Sequence, residues 1–250
     1  MEQYRVANAS VNYELAMLKR MFTLSRKLLP VHPHFPRLHL NNVRTGFFEE
    51  SEFQAFLANI EEDLQPVMEL AYITGWRIRS EILPLRWGLN VDLEAGEVRL
   101  EPGTTKNNEG RVFPISALPK LAELLMRQKR RTEAIEKSTS RIIPWVFHRQ
   151  GNKIKDFRGA WDKAIKAAGI PRKIPHDFRR TAVRNLERAG VPRAVAMKLV
   201  GHKTESIFRR YAIVARQDLL DGLKRLADYR AEIETKPGNR KVVDIAEVRK

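Results

Sequence analysis

The 250-residue sequence predicts a mainly α (α+β) chain with one small antiparallel three-stranded sheet. Apolar residues recur at helical spacing over most of its length, which is typical of amphipathic helices. Short apolar runs broken by turn residues replace that spacing between Trp87 and Ile115, which is typical of hairpin strands. The chain has no internal repeat, and its length favours one main domain.

The first predicted element is a basic amphipathic helix from about Asn8 to Leu29. Its apolar residues at helical spacing are Leu15, Leu18, Met21, Phe22 and Leu28. The segment Pro30–Pro36 contains three prolines and cannot continue the helix, because proline lacks an amide donor and disfavours helix in the preceding residue. We therefore predict that residues 1–40 form a helix followed by a Pro-rich linker.

After the linker, apolar residues again recur at helical spacing, both before and after the predicted sheet. An apolar face recurs over 51–70, with a second helix beginning at 64–66 and ending near Ile73. The three predicted strands are Asn90–Leu93, Glu97–Leu100 and Arg111–Ile115. The later helices are predicted at 118–135, 155–168, 177–189, 192–201 and 217–233. These elements predict a main domain over 41–235 and a basic tail over 236–250.

The charge balance limits the classes of partner. The chain has 46 Lys and Arg against 30 Asp and Glu, a net charge of +16, which favours a polyanion such as nucleic acid. A membrane is not expected, because no apolar run approaches the roughly 18 residues of a spanning helix and no signal pattern is present. The absence of cysteine excludes disulfides and thiolate metal sites, and we expect a cytoplasmic protein.

Six polar residues stand in short phrases along the chain. They are Arg77 in Thr74-Gly-Trp-Arg77, Lys106 in Thr104-Thr-Lys-Asn107, His176 and Arg179 in His176-Asp-Phe-Arg179, His202 after Gly201, and Tyr211 nine residues later. Each phrase alone is weak evidence, but their order and spacing agree. Together they resemble the catalytic signature of the tyrosine recombinases, the phage integrase family, over about Arg44 to Tyr211.

The resemblance implies an enzyme that cleaves and rejoins DNA strands at specific sites, for integration or excision of a mobile element. It implies that Tyr211 is the nucleophile and forms a 3′-phosphotyrosyl link, which splits the exchange into two transesterifications and retains the bond energy. It implies double-stranded DNA as partner, a homotetramer on synapsed DNA, and accessory directionality or bending proteins. No cofactor and no metal are expected.

The residue types suit this chemistry. Arg77 and Arg179 fit a clamp on the non-bridging phosphate oxygens, because a guanidinium donates two parallel hydrogen bonds. His176 lies on the helical face of Arg179 and is the candidate acceptor of the tyrosine proton. His202 is a further hydrogen-bond donor to the phosphate. Lys106 is the candidate general acid for the departing 5′ oxygen.

Two assignments leave alternatives. Family members often have an acidic residue three positions after the first arginine, whereas Glu81 stands four after Arg77, so Arg79 is the alternative to Arg77. A one-residue insertion absorbed by a helix start or bulge would retain Arg77, with Glu81 orienting its guanidinium. Lys120 and Lys153 are the alternatives to Lys106. His148 is interpreted as structural, and a metal site near His34 is not expected, because it lacks acidic or cysteine partners.

Two other functions stay open at this stage. One is a catalytically impaired DNA-binding remnant. Within residues 1–40 only Asn8 to Leu29 resembles the core-binding domain of the family, the rest being linker, and weaker DNA binding is expected from so short a layer. The other is type IB topoisomerase-like strand cleavage. The helix predicted over Gln217–Ile233 packs either on a neighbouring copy or on its own domain; its apolar face is Leu219, Leu220, Leu223 and Leu226.

Overall fold

A computed structural model describes residues 6–26, 33–40, 46–103, 109–209 and 216–235. The chain divides into two compact units, 1–45 and 46–250. Lys106, Tyr211 and the tail 236–250 lie outside the described residues. The predicted boundaries at 40 and 235 stay predictions.

The first unit contains one helix and an extended segment. Helix α1 (Asn8–Leu24) ends where Ser25 leaves the helical conformation (φ −86°, ψ 12°), so it is shorter than the helix predicted to end near Leu29. The Asn12 side chain exchanges two 2.8 Å hydrogen bonds with the backbone of Leu38. The rings of Phe22 and Phe35 lie 5.5 Å apart. Residues 33–40 are not helical, as their prolines predict.

The second unit is mostly helical. Its helices are α2 (Glu50–Asn59), α3 (Gln65–Thr74), α4 (Pro119–Thr139), α5 (Arg158–Ala167), α6 (His176–Arg188), α7 (Arg193–Val200), α8 (Glu205–Arg209) and α9 (Arg216–Thr235). A 3₁₀ turn (Glu62–Leu64) precedes α3, and a π-helical turn (Ile78–Ile82) follows it. Within the described ranges, no helix is long and apolar enough to cross a membrane.

A three-stranded antiparallel sheet, in the order β1-β2-β3, confirms the predicted fold class. Its strands are β1 (Val91–Asp92), β2 (Glu97–Leu100) and β3 (Arg111–Pro114). Val98 is the central residue, paired with Val91 on one side and Phe113 on the other. A second hairpin, β4 (His148–Arg149) with β5 (Asn152–Lys153), was not predicted, because two-residue strands are too short to show alternation.

An aromatic cluster forms the centre of the second unit. Phe178, on α6, is almost fully buried. Five other rings lie with centroids 4.7 to 5.8 Å from its own, those of Phe48, Phe53, Phe56, Tyr72 and Trp161. Because they come from α2, α3, α5 and the segment before α2, the position of α6 is set by packing against all of them.

We expect Phe178→Ala to lower the free energy of unfolding by about 3–5 kcal/mol, because it leaves a cavity where five rings meet. Urea denaturation followed by tryptophan fluorescence would measure the change. Leu89→Ala is the control, since Leu89 is 53 % exposed and its truncation should cost under about 0.5 kcal/mol. Equal losses in the two variants would show that the cluster is not the core.

Candidate active site

Arg179 lies at the centre of the candidate site and is only 2 % exposed. Its Nε donates to His202 Nε2 at 2.9 Å. Its Nη1 donates to the carbonyl of Gly75 at 2.9 Å, and its Nη2 donates to the carbonyl of Gly201 at 3.0 Å. Three acceptors around one planar guanidinium hold Arg179 in a single orientation.

Both glycines end a helix and turn its last carbonyls toward Arg179. Gly75 caps α3 with φ +67° and Gly201 caps α7 with φ +77°, a left-handed conformation that favours glycine. A Cβ on Gly75 would lie 2.9 Å from the Cβ of Ala182 on α6. The Trp76 indole donates to the carbonyl of Leu199 at 2.9 Å and joins the two helix ends.

Arg77 is oriented by Glu81, as the sequence suggests. Its Nη1 donates to Glu81 Oε1 at 2.6 Å, and its backbone amide donates to Glu81 Oε2 at 2.7 Å. The Glu81 side chain is fully buried, whereas the Arg77 side chain is 29 % exposed. The carboxylate therefore fixes one side of Arg77 while part of its guanidinium faces solvent.

The π-helical turn explains how Glu81 reaches Arg77 from four positions away. The Arg77 carbonyl accepts from the amides of Glu81 (2.8 Å) and Ile82 (3.2 Å), and the Ile78 carbonyl accepts from the amide of Leu83 (2.9 Å). A π turn holds one residue more than an α turn. It provides the one-residue insertion that the Arg77 assignment requires.

Arg79, the alternative to Arg77, points elsewhere. Its side chain is 58 % exposed and pairs at 3.0 Å with Asp156, which is 61 % exposed. A surface pair of this kind contributes little energy and places Arg79 on the solvent side of the π turn. The geometry favours Arg77.

Sequence reasoning missed Arg111, the first residue of β3. Its Nη2 donates to Glu81 Oε1 at 3.0 Å, and its Nη1 donates to the carbonyl of Val200 at 2.9 Å. Its side chain is 7 % exposed. The alternation of residues in β3 contains a signal that could have identified Arg111. Arg111 lies two residues before buried Phe113 and therefore on the same face of the strand, and a buried arginine requires a partner.

Glu81 is ionised in this setting. Burial alone raises the pKa of Glu81, but the charge of Arg111, the Arg77 amide and the charges of Arg77 and Arg179 together hold it below its ordinary value. The carboxylate lies between two guanidiniums, so the pocket keeps an excess of positive charge.

Burial and that positive charge keep both site histidines neutral. Burial, followed by the charges of Arg179 and Arg77, lowers the pKa of His202 to about 3. Partial burial of the His176 ring and then the same two arginines also lower the pKa of His176, although Asp177 acts in the opposite direction and part of the residue reaches the surface. The contributions of Arg77 and Arg179 to both histidines show that all four groups share one electrostatic neighbourhood.

The hydrogen bond from Arg179 also defines the tautomer of His202. Because Arg179 Nε can only donate, Nε2 of the neutral imidazole must be the acceptor and Nδ1 holds the proton. The ring packs edge-on against Phe208 at 5.8 Å. In this arrangement His202 orients Arg179, and its predicted direct contact with a phosphate stays a prediction.

The structure thus brings Arg179 and His202 into contact and places Arg77 and His176 in the same electrostatic neighbourhood, and an open cleft of about 440 Å³ borders His202. The cleft is lined by Glu109, Gly110, Arg111, Val112, Met197, Lys198, Gly201 and His202. The predicted roles of Lys106 and Tyr211 fall outside the described residues and stay predictions. Across the part of the chain that the structure describes, no group of three His, Asp or Glu could hold a metal ion.

His148 has the structural surroundings that the sequence suggests. It is buried, its Nε2 lies 3.0 Å from Thr132 Oγ1, and its Nδ1 accepts from the amide of Gly151 at 3.2 Å. These contacts join α4 to the β4–β5 hairpin, remote in sequence from the candidate site.

We expect Glu81→Gln to lower the free energy of unfolding at pH 7 by about 3 kcal/mol, because it leaves the buried Arg111 without a counter-charge. The lowered pKa of Glu81 means that its ionised form stabilises the fold above its ordinary value of 4.5, and this stabilisation is lost as pH falls through the lower folded value. The difference from wild type should therefore shrink in acid. Urea denaturation across this range would measure it.

Glu97→Gln is the control for that series, since Glu97 pairs with Arg99 at 3.5 Å on the surface of the sheet. Its effect on the free energy of unfolding should stay within about 1 kcal/mol at every pH. A difference between wild type and Glu81→Gln that does not change with pH would contradict the assignment of an ionised, buried Glu81.

Known proteins share both the sequence and the fold. The phage integrase family matches residues 46–218. The integrase of Salmonella phage P22 is 26 % identical over 199 residues, covering 74 % of this chain and 48 % of that protein. The prophage integrase IntF of Escherichia coli (strain K12) is 27 % identical over 148 residues, covering 58 % of this chain and 29 % of that protein. The chain spans about half the length of these relatives or less.

Solved structures give the same fold at lower identity. A lambda integrase dimer bound to a COC′ core site has a TM-score of 0.64 at 19 % identity, covering 82 % of this chain and 74 % of that one. The Tn1549 transposon integrase in complex with a circular intermediate DNA has a TM-score of 0.68 at 16 % identity, covering 90 % and 82 %. Since the family match covers most of its length, the chain belongs to the phage integrase family and has the fold of a tyrosine recombinase catalytic domain.

Proposed function

We propose that the chain is a site-specific DNA recombinase that cleaves and rejoins strands through a 3′-phosphotyrosyl intermediate at Tyr211, for integration or excision of a mobile element. One observation supports this most strongly. Two arginines, Arg77 and Arg179, are held rigidly by the protein beside two neutral histidines. Fixed donors of this kind stabilise the charge that develops on a phosphate in the transition state.

The proposed reaction balances without a cofactor. The Tyr211 hydroxyl oxygen attacks the scissile phosphorus, the bond from phosphorus to the 5′ oxygen breaks, and the phosphate stays on the tyrosine and the 3′ end. His176 accepts the phenol proton, and Lys106 donates a proton to the departing 5′ oxygen. Rejoining reverses these steps when the 5′ hydroxyl of a partner strand attacks the phosphotyrosine.

The protonation state of His176 suits an acceptor. Its pKa is lowered by burial and by the charges of Arg179 and Arg77, so the ring is neutral at pH 7 and has a nitrogen lone pair for a proton. A proton taken up there meets the same positive charges, which favours its prompt return to the tyrosine oxygen when the strand is rejoined.

The proposed substrate is double-stranded DNA, and the active assembly is four copies on two synapsed duplexes. The net charge of +16 suits binding to many phosphates. Relatives of similar fold include a lambda integrase tetramer bound to a Holliday junction. Several apolar side chains of α9 are exposed, as a helix that packs on a neighbouring copy requires: Leu220, Leu223, Leu226, Tyr229 and Ile233.

We expect wild-type protein to form a denaturant-resistant adduct with nicked duplex DNA, and Tyr211→Phe to form none, because the variant lacks the attacking oxygen. The experiment uses a panel of DNA sequences at high protein concentration, without metal. The adduct is read by its retarded migration in a denaturing gel.

Non-covalent DNA binding of both proteins provides the control and should be equally salt-sensitive. Binding without an adduct in wild type would contradict the proposed chemistry and favour a DNA-binding remnant. An adduct that only reseals the original strand, with no exchange between two duplexes, would favour topoisomerase-like cleavage.

We expect Arg77→Met to slow adduct formation by about 100-fold or more, because it removes a donor to the developing charge. Arg79→Met is the matched control two residues away and should stay within about twofold of wild type, since the Arg79 pair with Asp156 lies on the surface. Single-turnover rates would measure both. The opposite ranking would assign the catalytic arginine to Arg79.

A further inference from the structure

Arg111 connects the two halves of the candidate site. One half is the π turn with Arg77 and Glu81, and the other is the end of α7 with Val200 and His202. Arg111 donates to Glu81 through both terminal nitrogens, at 3.0 and 3.4 Å, and to the Val200 carbonyl at 2.9 Å. The face of the Trp76 indole lies 5.7 Å from its guanidinium carbon.

We propose that Arg111 is a positioning residue that sets the spacing between Arg77 and His202 and so aligns the phosphate-binding groups. Arg111 does not contact the substrate in this proposal; it acts through Glu81 on one side and through the α7 backbone on the other. The inference rests on the proposed function, because the site that Arg111 aligns is the one proposed to hold the scissile phosphate.

The arrangement makes Arg111 the counterpart of Arg179. Arg179, from α6, joins the ends of α3 and α7 through the carbonyls of Gly75 and Gly201. Arg111, from β3, joins the segment just after α3 to the same end of α7. Two guanidiniums from different elements therefore fix the distance between these parts, and each is nearly fully buried.

The charge of Arg111 also determines what Arg77 presents to a phosphate. Glu81 is shared between Arg77 and Arg111, so the three groups together have one net positive charge. Without Arg111 the carboxylate would pair with Arg77 alone and neutralise it. A lysine at 111 would restore the charge, but one ammonium lacks the planar fork that spans Glu81 and the Val200 carbonyl.

Gly201 provides an independent sign of this contact. A Cβ at position 201 would overlap the guanidinium of Arg111, and the φ of +77° already disfavours any other residue. The Gly-His phrase that precedes the tyrosine is therefore also the place where Arg111 passes the end of α7.

The test compares the wild-type 250-residue chain with Arg111→Met, Arg111→Lys, Glu81→Gln and the double variant Arg111→Met/Glu81→Gln. Arg99→Met is the matched control, since Arg99 lies on the adjacent strand and forms only surface pairs in the described residues. Single-turnover adduct formation gives a rate constant and an amplitude. A misaligned site lowers the rate constant, whereas misfolding lowers the amplitude.

We expect Arg111→Met to lower the rate constant by about 100-fold, because small misplacements of reacting groups have effects of that size. Its amplitude and non-covalent DNA affinity should stay within about twofold of wild type, and so should every property of Arg99→Met. Arg111→Lys should recover only part of the rate. The double variant should be slower than Glu81→Gln by much less than about 100-fold, because one of the two routes by which Arg111 acts passes through Glu81 and the other passes through the Val200 carbonyl.

An unchanged rate constant in Arg111→Met, or single effects that multiply in full in the double variant, would overturn the proposal. A second readout does not need DNA: the ¹⁵N spectrum of the His202 ring in the free protein. We expect one neutral tautomer in wild type and Arg99→Met, and a changed spectrum in Arg111→Met. An unchanged His202 spectrum in Arg111→Met would overturn the proposed role of Arg111, whether or not wild type forms an adduct. The absence of an adduct in wild type would count only against the proposed function.

Discussion

The buried guanidinium of Arg179 is the constraint on which the rest of the site depends. Removing such a charge from water costs several kcal/mol unless acceptors surround it. Two of its three acceptors are the carbonyls of Gly75 and Gly201, at the partly negative ends of helices. Both helices must therefore end beside Arg179, and both must end in glycine, because only a left-handed cap turns these carbonyls inward.

The sequence predicted most accurately the helices whose ends are marked by proline and glycine. Pro66 and Gly75 bracket α3, and Pro192 and Gly201 bracket α7, so periodicity and end signals agreed within a residue or two. The offset of Glu81 also had a physical meaning that the sequence could state in advance. One additional residue between two groups that must meet can be absorbed by a helix start or a bulge, and the π turn absorbs it here.

The remainder depended on contacts between distant parts of the chain. Arg111 meets Glu81 from 30 residues away and Val200 from 89 away, and neither pairing leaves a local pattern. The contacts of Arg179 also leave no local pattern in the sequence, and its candidate role suggested a phosphate as its partner rather than groups of the protein. Most of its acceptors are backbone carbonyls, which every residue has and which a sequence cannot distinguish. The glycines in the Thr-Gly and Gly-His phrases were the only visible trace of that geometry.

The electrostatics of the site also indicate which type of residue suits each of the two proton transfers in the proposed reaction. Burial and the arginine charges that are proposed to stabilise a phosphate suppress the protonated forms of His176 and His202, so at pH 7 neither ring is an imidazolium that could give a proton to a leaving group. A lysine begins with a pKa of about 10.4, roughly four units higher than histidine, and can remain charged under the same repulsion. A neutral histidine as acceptor and a lysine as donor is therefore the division of roles that an arginine-rich pocket favours. This is the physical reason for proposing Lys106, rather than either histidine, as the general acid.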